Sequence, residues 1–178
     1  INRSQIIHLD WIESGGFIHQ PQQLNRFPHL RNLSLRSNAI TSLSLLPFWS
    51  HITHLNHLDL SQNRLNAIHE RDFRSFTNLI SLNVSLNFLT SIEPIWLSIP
   101  LQIIDLSRNG INSIGYTQIQ NLTDASNGCF LREIFLNENR GLLSFAQLQF
   151  TMMDPCPWLR RYQLIDNHWH CSCPDLLN

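Results

Sequence analysis

The sequence predicts an α/β fold, a right-handed solenoid with a curved parallel β-sheet on its concave face and 3₁₀ or irregular segments on its convex side. Three observations predict it. The pattern LxxLxLxxN occurs six times along the 178 residues, and self-similarity at a short period is the mark of a repeat architecture. Its copies start 25, 24, 22, 30 and 28 residues apart, enough chain for one coil each. Finally, 43% of the residues are apolar and only 14% charged, against about 25% charged in an ordinary soluble domain, a composition that fits one continuous core and not disorder.

The copies are LRNLSLRSN (30–38), LNHLDLSQN (55–63), LISLNVSLN (79–87), LQIIDLSRN (101–109), LREIFLNEN (131–139) and LRRYQLIDN (159–167). Tyr162 is the roughest fit. A degraded first copy reads from Ser4 to Ile12, with Ile7 and Leu9 on the apolar positions and Ile12 in place of Asn. Apolar residues two apart mark a short strand with one face inward, and the Asn falls where the chain turns out of it. Buried there, its amide can satisfy backbone groups of its own and the neighbouring coil. Asn38, Asn63, Asn87, Asn109, Asn139 and Asn167 are therefore expected to form a ladder.

Past the Asn, Leu65 and Ile68 followed by Phe73, Leu89 and Ile92 followed by Leu97, and Ile111 and Ile114 followed by Ile119 should fill the core behind the sheet. The fifth repeat breaks register at Asn139-Arg140-Gly141-Leu142, where Gly takes an apolar position. A local bulge is expected.

The repeats resemble leucine-rich repeats over nearly the whole chain. A second resemblance follows the last one: Trp169-x-Cys171-x-Cys173 is similar to the opening of the cysteine-rich C-terminal cap of extracellular leucine-rich-repeat proteins, Asn-Pro-Trp-x-Cys-x-Cys, with His168 in place of Pro. In that family the Trp covers the end of the core and the two cysteines pair with two further downstream. The domain division expected is a solenoid over residues 1–167 and the start of a truncated cap over 168–178. The same stretch could be read as a zinc site, but His168, His170, Cys171 and Cys173 are too close in sequence for tetrahedral coordination, because neighbours in an extended segment point to opposite faces. No metal and no cofactor are expected.

Cys129 and Cys156 lie two and three residues ahead of consecutive strands, in the same connection of adjacent coils. Coils about 4.8 Å apart at the sheet are within disulfide reach, so a Cys129–Cys156 bond is expected, the alternative being two buried free thiols.

The variable positions of the motif should point out of the concave sheet. Most are small or polar, Ser61, Ser85 and Ser107 among them, and Asp59 and Asp105 sit in consensus-like repeats. The candidate ligand-binding surface is Phe135 with Glu133, Asn137, Glu138 and Arg108, joined by Asp105, Arg161 and Gln163; Trp11 is expected to play a similar part at the other end. An exposed aromatic rimmed by polar groups is the usual make-up of an interface hot spot. The alternative is that the insertion at 127–130 covers Phe135. Glycosylation sequons begin at Asn2, Asn32, Asn83 and Asn121. Asn83 falls mid-sheet, where a glycan would keep a partner from lying flat, so binding is expected on the C-terminal part of the concave face or a flank. His29 and His54 share the place before the first Leu of their repeats, and His51 and His57 are near. They read either as a stack that repels near pH 6 or as plain loop residues.

No GxSxG, HExxH or phosphate-cradling glycine loop occurs, which argues against an enzyme. The formal net charge is −1 and all twelve basic residues are arginine, so no global field favours nucleic acid or an acidic membrane. No apolar run reaches the roughly 18 residues of a span, leaving the membrane to any segment outside the chain. The resemblance, which extends to Toll-like, Slit, neurotrophin-receptor and variable-lymphocyte-receptor ectodomains, implies an extracellular glycoprotein: the ligand-binding part of a cell-surface receptor, innate-immune if Toll-like, with a protein ligand or co-receptor and ligand-driven dimerisation. The alternative is a secreted adhesion or matrix scaffold. An intracellular adaptor would need reduced cysteines and no sugar.

Overall fold

The computed structural model describes residues 6–11, 27–45, 52–93, 95–114, 129–139, 142–144 and 156–170. Within them each motif supplies one three-residue strand: β1 (His8–Asp10), β2 (Asn32–Ser34), β3 (His57–Asp59), β4 (Ser81–Asn83), β6 (Ile103–Asp105), β8 (Glu133–Phe135) and β10 (Arg161–Gln163). They form one seven-stranded sheet in that order, every pairing parallel and in motif register, as in Leu58 opposite Leu33 and Leu82. The strands are short because the chain turns at once. In all six later coils the residue before the ladder Asn is left-handed: Ser37, Gln62, Leu86, Arg108, Glu138 and Asp166 have φ of 55–58°.

The ladder amides sit in that turn. Asn63 Nδ2 donates to the carbonyls of Leu60 in its own coil and Leu35 one coil back, both at 2.9 Å, while its Oδ1 accepts the Ile40 N–H at 3.1 Å. Asn87, Asn109 and Asn139 repeat the arrangement. Asn38 donates to Leu35 and Trp11.

That last bond corrects the first coil. Leu9 pairs with Leu33, so Leu9 takes the motif's fourth position and Trp11 its sixth, two residues away from the register read in the sequence. Trp11 consequently packs partly buried against the core and does not stand on the concave face, and Ile7 is 57% exposed. A slip of two keeps strand parity, which is why the alternation alone did not reveal it.

A second, broken sheet lies beyond the ladder: β5 (Ser91–Ile92) pairs with β7 (Ser113–Ile114), and β9 (Leu142–Ser144) with β11 (His168–His170). Leu143, four residues past Asn139, lies opposite Trp169, two past Asn167. Since β5 and β7 lie four and five residues past their ladder residues and β9 three to five, it is β11, one to three past Asn167, that departs from the earlier coils. In keeping with this, Asn167 Oδ1 accepts the N–H of Asn139 itself, where other ladder residues accept from two positions later. Arg140 and Gly141, where a bulge was expected, lie outside the described residues. The remaining elements are 3₁₀ turns at Leu43–Leu45, Glu70–Asp72 and Ile95–Leu97.

The core runs the length of the stack, from Leu30 to Leu136. Leu65, Ile68, Phe73, Leu89, Ile92 and Ile111 are buried as expected. Behind Ile92 the anchors are Ile95 and Trp96, both fully buried, and Leu97 is only half-buried: the 3₁₀ turn rotates the chain so that the two residues before Leu97 face inward. Cys129 and Cys156 are disulfide-bonded, Cα atoms 4.9 Å apart, and both are buried. They occupy the place of Phe76 and Ile99 in earlier coils, an apolar anchor ahead of the first Leu. Tyr162 is 53% exposed because β10 is the last strand of the sheet. Ile119, His51, Asn2, Asn121, Cys171, Cys173 and the Trp169 ring, all singled out in the sequence, lie outside the described residues.

Candidate recognition surface

Strand pairing aligns two outward rows on the concave face. One runs His8, Asn32, His57, Ser81, Ile103, Glu133, Arg161; the other runs Asp10, Ser34, Asp59, Asn83, Asp105, Phe135, Gln163. Ser61, Ser85 and Ser107, expected to face outward too, are instead buried. Asp59, Asn83 and Asp105 fold back on them: each Oδ1 accepts the N–H two residues on at 2.9–3.0 Å, and Asn83 and Asp105 also accept the serine hydroxyl. These are Asx-turns, so the carboxylate of Asp105 serves the backbone turn first.

Where a coil lacks that Asx residue the face changes character. Phe135 stands between Asp105 and Gln163 and is half-buried, with Arg161 stacked on its ring: the guanidinium carbon lies 5.6 Å from the centroid. Arg161 Nη1 also reaches Glu133 at 3.5 Å. Among the described residues Arg161 is thus a cover that Phe135 carries; Asn127 and Gly128 of the insertion expected as an alternative cover lie outside them. At the ends of the same strands Arg108 Nε donates to both oxygens of Glu138 at 2.9 and 3.0 Å. Asn137 is half-buried, and its Oδ1 is a buried acceptor without a hydrogen-bond partner beneath this rim. Glu133, Phe135, Arg161, Gln163 and Asp105 are therefore one patch, Arg108, Asn137 and Glu138 its rim, and Trp11 is no part of it. Ile103, beside Glu133 in the outward row, belongs to the patch as well; its consensus-like repeat hid it in the sequence.

The N-terminal half of the face is polar. A shallow hollow of about 330 Å³ is lined by His8, Asp10, Asn32, His57, Asp59 and Asn83 among others, with His8 Nε2 3.1 Å from Asp10. Asn83 projects from the fourth of the seven strands, its Oδ1 committed to Ser85. Asn32 lies two strands away in the other row, its Oδ1 buried without a partner.

On the convex side, His69 Nδ1 and the Glu70 N–H meet the two oxygens of Glu93 at 3.0 and 2.8 Å. The Glu70 backbone N–H, then the His69 side chain, hold the Glu93 carboxyl below its ordinary range, with burial opposing. Among the described residues no three His, Cys, Asp or Glu side chains converge as metal ligands, and no helix is long and apolar enough to cross a membrane.

Residues 28–87 match the Leucine rich repeat family. The chain is 30% identical over 165 residues to Toll-like receptor 10 of Bos taurus, an alignment covering 83% of this chain and 20% of that receptor; it thus spans about a fifth of that relative's length. A TLR13–ssRNA13 complex superposes with a TM-score of 0.65 at 19% identity, over 94% of this chain and 27% of the other. An internalin from Listeria monocytogenes superposes with a TM-score of 0.58 at 19% identity, over 97% and 52% of the two chains.

Proposed function

The chain is a leucine-rich-repeat domain of the type found in Toll-like receptors, and from that premise we propose that it is the ligand-recognition part of an extracellular receptor, acting in innate immunity and binding a protein ligand or co-receptor through the C-terminal half of its concave face. The observation that carries this reading is the patch around Phe135, where an aromatic ring, a guanidinium and a carboxylate converge on the sheet. A recognition surface needs little more than such a half-buried anchor and a polar rim. The Cys129–Cys156 bond supports an oxidising compartment. The cysteines at 171 and 173, read as the opening of a cap, fit the same reading.

The relative bound to single-stranded RNA bears on the partner class, since the fold accommodates nucleic acid in that protein. Here the outward rows hold Asp10, Asp59, Asp105 and Glu133 against Arg161, a balance that favours a protein ligand over a polyanion. Glycans on Asn32 and Asn83 would close the N-terminal and central strands and leave the Phe135 patch open.

The test is a binding screen of the chain, produced in a secretory host, against secreted and cell-surface proteins, with Phe135→Ala and Arg161→Glu as controls. A ligand whose affinity drops at least tenfold in both variants supports the reading. Ligands insensitive to both, or a chain whose intact mass shows reduced cysteines and no sugar, refute it.

A further inference from the structure

The flank of the solenoid just ahead of the strands changes character along the stack. Between the buried anchor and the first Leu, the early coils expose His29, His54 and Asn78. The later coils place Pro100, Phe130 and Trp158 there, with Phe130 46% and Trp158 57% exposed. Core packing does not require these rings, because coils with His or Asn at that place bury their Leu equally well. The residue after the Leu is arginine in both last coils, giving Phe130-Leu131-Arg132 and Trp158-Leu159-Arg160. Leu131 is buried and Leu159 partly buried, while Phe130, Arg132, Trp158 and Arg160 are all exposed, so ring and guanidinium reach solvent together in both coils. The two tripeptides lie side by side, the Arg160 N–H donating to the Arg132 carbonyl at 2.9 Å, and the adjacent disulfide ties their turns at 4.9 Å between Cα atoms.

Two further features give this array a direction. Phe130 forms one wall of a hollow of about 340 Å³ lined by Leu97, Ile99 and Pro100 together with Arg74, Thr77 and Ser98. Among the described residues no carboxylate lies within ion-pair distance of Arg132 or Arg160, whereas Arg161 and Arg108 are both paired. Exposed rings beside a hollow with an aliphatic wall suit an apolar side chain, and two guanidinium groups with no carboxylate partner among the described residues suit carboxylates, which they can grip bidentately.

We propose that this flank is a second docking surface, distinct from the concave patch, for an acidic polypeptide segment that carries an apolar side chain: the apolar group enters the hollow beside Phe130 and the flanking carboxylates pair with Arg132 and Arg160. A polynucleotide would satisfy the guanidinium groups but leave the aliphatic lining of the hollow uncovered, so the polypeptide is favoured. The proposal does not depend on what the concave face binds.

The test uses the whole chain and a fluorescein-labelled peptide of sequence Glu-Glu-Leu-Phe-Glu-Glu, read by fluorescence anisotropy. Three probes accompany it: the same peptide with Lys for Glu, the same with Ser for Leu and Phe, and an oligouridylate. The acidic apolar peptide is expected to bind, with affinity at least tenfold weaker after Arg132→Glu plus Arg160→Glu and several-fold weaker after Phe130→Ser, and to be unaffected by Phe88→Ser on the opposite flank or Phe135→Ala on the concave face. The Lys and Ser peptides should bind at least tenfold more weakly to the unaltered chain, a comparison that needs no variant to fold. Equal binding of the Lys peptide, tighter binding of oligouridylate, loss with Phe135→Ala, or no binding of the acidic peptide at millimolar concentration would overturn the proposal.

Discussion

Arg161 lies over the face of Phe135, its guanidinium carbon 5.6 Å from the ring centroid, and the same side chain reaches Glu133 at 3.5 Å. At a half-exposed site such a stack stabilises by about 0.5–1 kcal/mol. A double-mutant cycle on Phe135→Ala and Arg161→Ala, followed by urea unfolding, should return a coupling of that size. Arg161→Ala alone should cost less than about 1 kcal/mol while abolishing ligand binding, since an arginine held loosely over a ring is free to turn toward an incoming carboxylate. A stability loss above about 2 kcal/mol would mean that the pair is structural.

The ladder amides carry the opposite balance. Replacing Asn87 by Ala orphans the buried N–H of Leu65 and removes one of the two amide donors from the carbonyls of Leu60 and Val84, which keep Asn63 and Asn109. One abandoned buried group costs about 1–3 kcal/mol and each lost hydrogen bond about 0.5–1.5 kcal/mol, so Asn87→Ala is expected to lower unfolding free energy by about 2–4 kcal/mol. Asn167 is only half-buried, at the last strand, and Asn167→Ala should cost roughly a third of that. Chemical denaturation of the two variants side by side checks the ratio.

How far the sequence revealed this structure depends on how much of each feature is periodic. Leucine columns and ladder Asn repeat at fixed offsets, so sheet, core and ladder could be read from residues 30–167 directly. Coil one could not, because Ile7/Leu9 and Leu9/Trp11 fit the same two-residue spacing, and what separates them is the pairing of Leu9 with Leu33 and the bond from Asn38 to the Trp11 carbonyl. The second sheet was hidden because its two- and three-residue strands owe their pairing to coil stacking rather than to any β-rich run. Inward rotation of Ser61, Ser85 and Ser107 was hidden because Asx-turns depend on a neighbour two residues back. In the candidate patch the sequence offered the residues as outward positions of neighbouring repeats, and what it lacked was the stacking of Arg161 on Phe135, which requires register between coils 28 residues apart.

The disulfide closes a loop of 28 residues, Cys129 to Cys156. On the chain-entropy model that constraint stabilises the folded state by about 3.5 kcal/mol. Since both cysteines also fill apolar anchor positions, Cys129→Ala plus Cys156→Ala loses a little packing as well, and a drop of about 3–5 kcal/mol is expected. Proteolysis should begin in the last two coils in that variant and under reduction of the unaltered chain, because β10 has a neighbouring strand on one side only.

Leu86 has φ of 55°, a conformation that costs a side chain of its kind roughly 1–2 kcal/mol. Asn tolerates it with its short polar side chain, and Leu86 is exposed and makes no core contact to lose. Leu86→Asn should therefore stabilise by up to about 1 kcal/mol. Leu86→Gly should change little, because relief of strain is offset by about 0.5–1 kcal/mol of added freedom in the unfolded chain. Leu86→Ile, β-branched, should destabilise by more than about 1 kcal/mol. Melting temperatures in the order Asn, Gly, Leu, Ile from highest to lowest would establish that strain, and not burial, governs this position; Ile equal to Leu would refute it.

Glu93 links the convex turns of two coils through the Glu70 N–H and the His69 ring, and its carboxyl is held below the ordinary value of 4.5. A carboxyl whose folded pKa is depressed binds its proton more readily when unfolded. Its contribution to stability is thus complete above the ordinary value and is lost as pH falls from there through the depressed one. The unaltered chain should be more stable than Glu93→Gln at pH 6, and the gap should narrow below pH 4.5 as the carboxyl is protonated. Thermal unfolding of both chains from pH 6 to pH 3 reads this directly. A constant gap across that range would assign the difference to packing and not to charge. A gap that widens with acid would reverse the sign of the linkage and exclude the Glu70 N–H as its cause.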